Sequence, residues 1–171
     1  YSPQQVVLDP VMVSTSGHNL MTDEAVEAIC TLLLPEVSLV TPNLHETEVL
    51  LQQPVHTVDE MEGAACRLFE KYHCAFLIKG GHLKGNEMCD VLYDGNQLNI
   101  FGSNRIRSGN LHGTGCTLSS AIATFLAQGA SLYEAVEQGI HFLCYRSRKR
   151  FAYRAGEWSF MAFPVFDKSC K

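Results

Sequence analysis

Three short apolar runs, Val6-Val7-Leu8, Val37-Ser38-Leu39-Val40-Thr41 and Ala75-Phe76-Leu77-Ile78, each give way to a polar or glycine-bearing cluster. Runs of this length, bounded by Pro and Gly, read as strands buried on both faces. The segments between them have helical periodicity, and strands alternating with helices leave few arrangements. The expectation is an α/β fold, with a mostly parallel central sheet and helices on both of its faces. Thr22-Asp23-Glu24-Ala25 opens a helix running to about Leu34, with Val26, Ile29, Leu32 and Leu33 on one face and Pro35 as its stop. A second helix follows Pro42-Asn43 and carries Leu44, Val49, Leu50 and Leu51, and Thr57-Val58-Asp59-Glu60 has the form of a capping box for a third, reaching about Tyr72. Met88 to Tyr93 and Gln97 to Phe101, divided by Asp94-Gly95-Asn96, read as a β-hairpin, and Leu132 to about Arg148 forms the last helix.

Between hairpin and last helix lies Leu111-His112-Gly113-Thr114-Gly115-Cys116, followed by an apolar face of Leu118, Ile122, Phe125 and Leu126 at helical spacing, with Gly129 placed as a left-handed cap. The glycines therefore stand at a helix N-terminus. Unpaired backbone N–H groups and the positive end of the helix dipole make such a start a site for an anion such as phosphate. Cys116 lies in the same field, which is expected to ease ionisation of its thiol and suit it as base or nucleophile. Gly-x-Gly also serves plain tight turns, and a single cysteine also serves as packing.

In sheets of this kind ligands bind beyond the carboxyl ends of the strands. Asp9, the cluster from Thr41 to Glu46, and Lys79 all fall at strand ends, on the edge where the helix start is expected. Asp9 suits a metal or a phosphate-bound water, or it merely stops a strand. Asn43 and Glu46, three apart, form a capping pair that is structural in itself, although such a carboxylate can also bind a magnesium water. Lys79, ending an apolar strand beside two glycines, suits a phosphate partner or reaches solvent as a surface lysine. His82 and His112 lack ligand spacing with any cysteine and read as loop residues. The basic residues Arg146, Arg148, Lys149, Arg150 and Arg154 favour a helix C-terminus rather than a binding site.

The chain's 171 residues fit one domain, and a hydrophobic content of 46% supports a real core. A net charge of -5 argues against a broad nucleic-acid surface and leaves small molecules as the natural partners. Seven cysteines without a Cys-x-x-Cys pair indicate neither a disulfide framework nor a zinc site, and point to the reducing cytosol. The apolar runs are short of a membrane span. With no initiator methionine and a strand almost at once, the chain is expected to be a piece of a longer protein. No P-loop lysine motif or His-Arg-Asp loop occurs, so those kinase mechanisms are not expected.

Val6 to Met12, Ser16-Gly17, Val40-Thr41-Pro42-Asn43 with Glu46 and Glu48, Ile78 to His82, Asp90 to Tyr93, and His112 to Thr117 occur in an order that resembles the hydroxymethylpyrimidine/phosphomethylpyrimidine kinases of thiamine biosynthesis. The resemblance covers residues 5 to about 143 and implies a ribokinase-like fold lacking its amino-terminal part, with an unpaired sheet edge, and a divergent tail over 145–171. It also implies ATP and Mg2+ as cofactors and a homodimer in the full-length protein. Its substrates would be 4-amino-5-hydroxymethyl-2-methylpyrimidine and its monophosphate. Gly113, Thr114, Gly115 and Cys116 would form an anion hole for the transferring phosphoryl group, with Cys116 taking the substrate proton. Lys79 would neutralise ATP phosphate charge, Asp9 and Glu46 would organise magnesium with Asn43 beside them, and Val11 would line the pyrimidine pocket. Alternatives are a pyridoxal or pyridoxine kinase with the same Cys loop, an inactive nucleotide-binding remnant, and a cysteine hydrolase pairing Cys116 with His82 or His112.

Overall fold

The computed structural model describes residues 3–12, 20–81, 87–104 and 113–148. Ser16-Gly17, His82, His112, Lys149, Arg150, Arg154 and most of the tail lie outside the described residues. Among the described residues five strands form one sheet in sequence order: β1 (Val7–Leu8), β2 (Leu39–Val40), β3 (Ala75–Lys79), β4 (Glu87–Tyr93) and β5 (Leu98–Asn104). β1 to β3 are parallel neighbours, and the hairpin β4–β5 continues the same sheet antiparallel to β3, so the sheet is mixed. At the hairpin tip the Asp94 carboxylate accepts the amides of Asn96 and Gln97, and Gly95 takes a positive φ of 94°. A side chain at Gly95 would strike the Phe69 ring, which packs edge-on against Tyr93.

The helices are α1 (Asp23–Ala28), α2 (Leu44–Leu51), α3 (Val58–Tyr72), α4 (Thr114–Ala127) and α5 (Leu132–Arg148). Capping boxes open α2 at Asn43 and Glu46 and α3 at Thr57 and Glu60, as their spacing predicts. Side-chain alternation along the strands splits the core into two layers. Phe76, Ile78, Val91 and Val40 face Met61, Ala64, Ala65 and Leu68 of α3. Val7, Leu39, Leu77 and Leu92 face Leu118, Ile122 and Leu126 of α4 and Ala135, Val136 and Ile140 of α5. Each large side chain buried this way contributes roughly 1.5–3 kcal/mol of hydrophobic free energy. α4 and α5 approach closely at Gly139, where a β-carbon would lie 2.8 Å from Ile122 Cγ1.

The first helix departs from its expected course. It is α-helical only to Ala28, then makes a wider π turn over Ile29–Leu33 and a 3₁₀ turn over Leu34–Glu36. Pro35 has no N–H to offer the preceding turn, and the chain instead bonds Leu34 N–H back to the Ile29 carbonyl. That five-residue step brings Leu34 into the core and turns Leu32 (74% exposed) and Leu33 outward, while Val26 and Ile29 of the expected face do pack against the core. At the other end of the fold Gly129 adopts φ 91°, with its amide on Leu126 O and the Ala130 amide on Phe125 O. This is the left-handed cap expected there.

Candidate functional site

The alternation that builds the α4 layer continues past the strand ends and changes chemistry. Two residues on from Val7, Leu39 and Leu77, on the same face of the sheet, come Asp9, Thr41 and Lys79, and Asp90 pairs in register with Lys79. Polar side chains thus border the hydrophobic layer where α4 begins. Gly113, with φ 80°, is the N-cap of α4, and the first α-helical bond runs from Thr117 N–H to Gly113 O. Helix geometry leaves the Gly115 and Cys116 amides, ahead of that bond, without an intrahelical acceptor.

Asp9, Lys79, Gly115 and Cys116 meet here. Lys79 Nζ donates to Asp9 Oδ1 at 2.9 Å, with side chains only 14% and 15% exposed. A β-carbon at Gly115 would lie 3.1 Å from Lys79 Nζ and 3.9 Å from Asp9 Oδ2, so the helix start closes tightly over this pair and a side chain there would press on the lysine ammonium. Lys79 is therefore an anchored cation rather than a solvent-reaching surface lysine. Cys116 is exposed at the mouth, and its thiol hydrogen-bonds Asp9. That bond, then desolvation and the Asp9 charge, push the thiol up from its usual value against the opposing pull of Lys79. The expectation of an easily ionised thiol is corrected accordingly. The carboxylate accepting from the thiol stabilises its protonated form more than the ammonium stabilises the thiolate.

Glu46 lies deeper. Its carboxylate accepts the Asn43 amide at 2.8 Å and the Met12 amide at 3.3 Å, and Asn43 Oδ1 accepts the Glu46 amide in return. The capping role is thus realised, and it also ties the chain after β1 to α2. Burial pushes the Glu46 carboxyl up, opposed by the Asn43 amide and by Lys79. The backbones of Asn43 and Lys79 pair in a parallel β-bridge at the strand end, with the Lys79 amide donating to Pro42 O at 2.8 Å. Val11, between Asp9 and Met12 in the chain, is 40% exposed and is not packed in the core. Among the described residues no group of three His, Cys, Asp or Glu side chains gathers to hold a metal ion.

Two features went unremarked in the sequence reading. Asp90, quoted there only within its motif, accepts the Gly80 amide at 2.9 Å beside Lys79. Burial pushes its carboxyl up to about 6, against the Gly80 bond and the Lys79 charge. A folded-state value above the unfolded one means the native state binds the proton more tightly, so this group's contribution to stability is lost as pH rises through about 6. Asp90→Asn is expected to raise Tm at pH 8, by no more than the equivalent of ~3 kcal/mol. The gain should shrink as pH falls below about 6, which melting curves across pH will check. The second feature is a buried hydroxyl pair, Thr41 Oγ1 and Ser119 Oγ at 2.8 Å. Apolar alternation gives no sign of it, because the two residues are 78 positions apart.

Comparison with known proteins follows the same residues. The profile of the phosphomethylpyrimidine kinase family matches residues 1–160. The chain is 43% identical over 143 residues to the thiamine biosynthesis bifunctional protein ThiED of Geobacter sulfurreducens, covering 84% of this chain and 29% of that protein. It is 43% identical over 141 residues to the hydroxymethylpyrimidine/phosphomethylpyrimidine kinase of Rhizobium meliloti, covering 82% and 53%. The crystal structure of phosphomethylpyrimidine kinase from Clostridium difficile superposes with a TM-score of 0.74 at 34% identity, over 85% of this chain and 58% of that one. The pyridoxal kinase of Staphylococcus aureus in complex with AMP-PCP gives a TM-score of 0.74 at 32% identity, over 82% and 51%. The chain thus spans about half the length of the single-function kinase relatives, and less of the bifunctional one. No helix among the described residues is long and apolar enough to cross a membrane. The fold is ribokinase-like, and the chain belongs to the phosphomethylpyrimidine kinase family.

Proposed function

We propose that the protein carrying this chain transfers the γ-phosphoryl group of ATP to 4-amino-5-hydroxymethyl-2-methylpyrimidine and to its monophosphate, in thiamine biosynthesis. The observation that carries this reading is the closure of the glycine-bearing start of α4 over Lys79 and Asp9, with the Cys116 thiol on the same carboxylate. Phosphoryl transfer asks chiefly for positioning and for stabilisation of charge on the moving group. The Gly115 and Cys116 amides, with Gly113 and Thr114 shaping the turn, supply donors and a helix dipole for that charge. Lys79 adds a cation that need only exchange Asp9 for a phosphate oxygen. Cys116, in its thiolate form, accepts the proton of the attacking hydroxyl or phosphate oxygen.

A three-ligand protein cage is not required for magnesium, which is held through one or two carboxylates together with phosphate oxygens and water. Asp9 and Glu46 fit that donor set as hard oxygen ligands, with Asn43 between Glu46 and Lys79. When bound, the ion neutralises phosphate charge; the chain's own part is to orient those oxygens. Val11 lies open for the acceptor ring.

A second reading, phosphorylation of pyridoxal, draws on the likeness to the Staphylococcus aureus pyridoxal kinase. Steady-state kinetics of the intact protein with both acceptors separate the two. The expected result is kcat/KM for the pyrimidine at least about tenfold above that for pyridoxal, a margin that one added polar contact supplies. The reverse ratio moves the assignment to the vitamin, and no ATP-dependent transfer to either acceptor overturns the kinase reading.

A further inference from the structure

We propose that Thr41 and Ser119 act together as positioning residues, a buried hydroxyl clasp that sets the first turn of α4 against the strand ends and so aims the Gly115 and Cys116 amides at the site. This role rests on the phosphoryl transfer proposed above. Thr41 is fully buried and Ser119 is 7% exposed, in a layer otherwise made of Val7, Leu39, Leu118 and Ile122. Their oxygens lie 2.8 Å apart. Ser119 Oγ also donates to the Gly115 carbonyl at 3.0 Å. A hydroxyl has one proton, so with Ser119 donating to Gly115 the Thr41 hydroxyl is left to donate, and its two acceptors are Ser119 Oγ at 2.8 Å and the more distant Leu8 O at 3.4 Å. Thr41 belongs in turn to the sheet, its amide donating to Leu8 O at 2.9 Å.

One continuous link therefore runs from β1 through Thr41 and Ser119 to the backbone of the glycine that closes over Lys79. The link is needed because Gly115 has no side chain with which to pack. A β-carbon there would crowd the Lys79 ammonium, so the turn cannot be fixed by its own packing. The tie is made one helical turn later, at Ser119. Serine and threonine are weaker than alanine or valine as fillers of an apolar layer, and burial of a hydroxyl is tolerated only with a partner. Their presence as a mutually satisfied pair is explained by the geometry they hold. Displacement of a reacting group by about 1 Å costs up to ~10²-fold in rate.

The test uses Thr41→Val, Ser119→Ala and the double variant in the intact protein. Each single change is expected to lower kcat about tenfold while KM for ATP and for the acceptor stays within about twofold. The double variant should lose no more than either single one, because both break the same link. Thr41→Ser, which keeps the hydroxyl, should restore kcat. Hydrogen exchange gives a readout independent of turnover. Exchange of the Thr117 and Leu118 amides should quicken at least about tenfold in the variants while α5 keeps its protection. Unchanged exchange there, kcat within twofold of wild type, or losses that multiply would each overturn the clasp, and so would loosening spread evenly over α4 and α5. If wild type transfers no phosphoryl group to any acceptor, the proposed function fails and hydrogen exchange alone decides the clasp. If Thr41→Val does not fold, Ser119→Ala carries both measurements.

Discussion

Cys116→Ala in the intact protein is expected to lower kcat for ATP-dependent phosphorylation by about 10²- to 10⁴-fold, the usual contribution of a positioned general base. Affinity for ATP should stay within about threefold, because the amides of the α4 turn do not depend on that side chain and alanine is a good helix former. Isothermal titration with a non-hydrolysable ATP analogue, set beside steady-state kinetics, separates the two effects. The pH profile carries a second signature. The thiol is pushed up by its hydrogen bond to Asp9, then by desolvation and the Asp9 charge, so the ligand-free protein holds it protonated at neutral pH. Activity that uses the thiolate should therefore climb on the alkaline side, and Asp9→Asn should move that rise to lower pH. A Cys116→Ala enzyme that turns over at the wild-type rate would remove the thiol from the reaction.

Lys79→Ala is expected to reduce kcat/KM for ATP by about 10²- to 10³-fold, of the order seen when one preorganised donor to the reacting charge is removed. It should also destabilise the protein. Removing one partner of a buried ion pair costs about 3–5 kcal/mol. Here both side chains retain some exposure, 14% and 15%, so the expected loss is smaller, ~1–3 kcal/mol. The further change Asp9→Asn should recover much of the stability and none of the activity. Lys79→Arg is not a conservative alternative. The ammonium is a compact point charge held by Asp9, and a planar guanidinium differs from it in size and in the fixed fork of its donors. Thermal melts and ATP saturation curves on the three variants check these outcomes, and an unchanged ATP dependence for Lys79→Ala would dissociate the lysine from phosphate.

Most of the architecture was legible before any coordinates, because it rests on signals that act within a few residues. The capping pairs Asn43 with Glu46 and Thr57 with Glu60, the hairpin about Gly95 and the left-handed Gly129 each join neighbours in the chain. The π turn at Ile29–Leu33 was not legible. Pro35 announces an ending, but whether the preceding turn tightens or widens depends on which of Leu32, Leu33 and Leu34 the core accepts. The core takes Leu34 and leaves the other two outside.

For the site, the sequence by itself determined which residue types stand at the strand ends, that a glycine-flanked helix start faces them, and, through an ordered set of motifs, the family. Tertiary structure alone decided how they are joined. Asp9 meets Lys79 across 70 residues and Thr41 meets Ser119 across 78. The Cys116 thiol is pushed up rather than down because the fold brings a carboxylate to it. Helix dipole and capping are set by the chain's local course. The partner of a charge, and hence the direction in which a proton's affinity moves, is set by whichever distant group the folded chain places within a few ångströms.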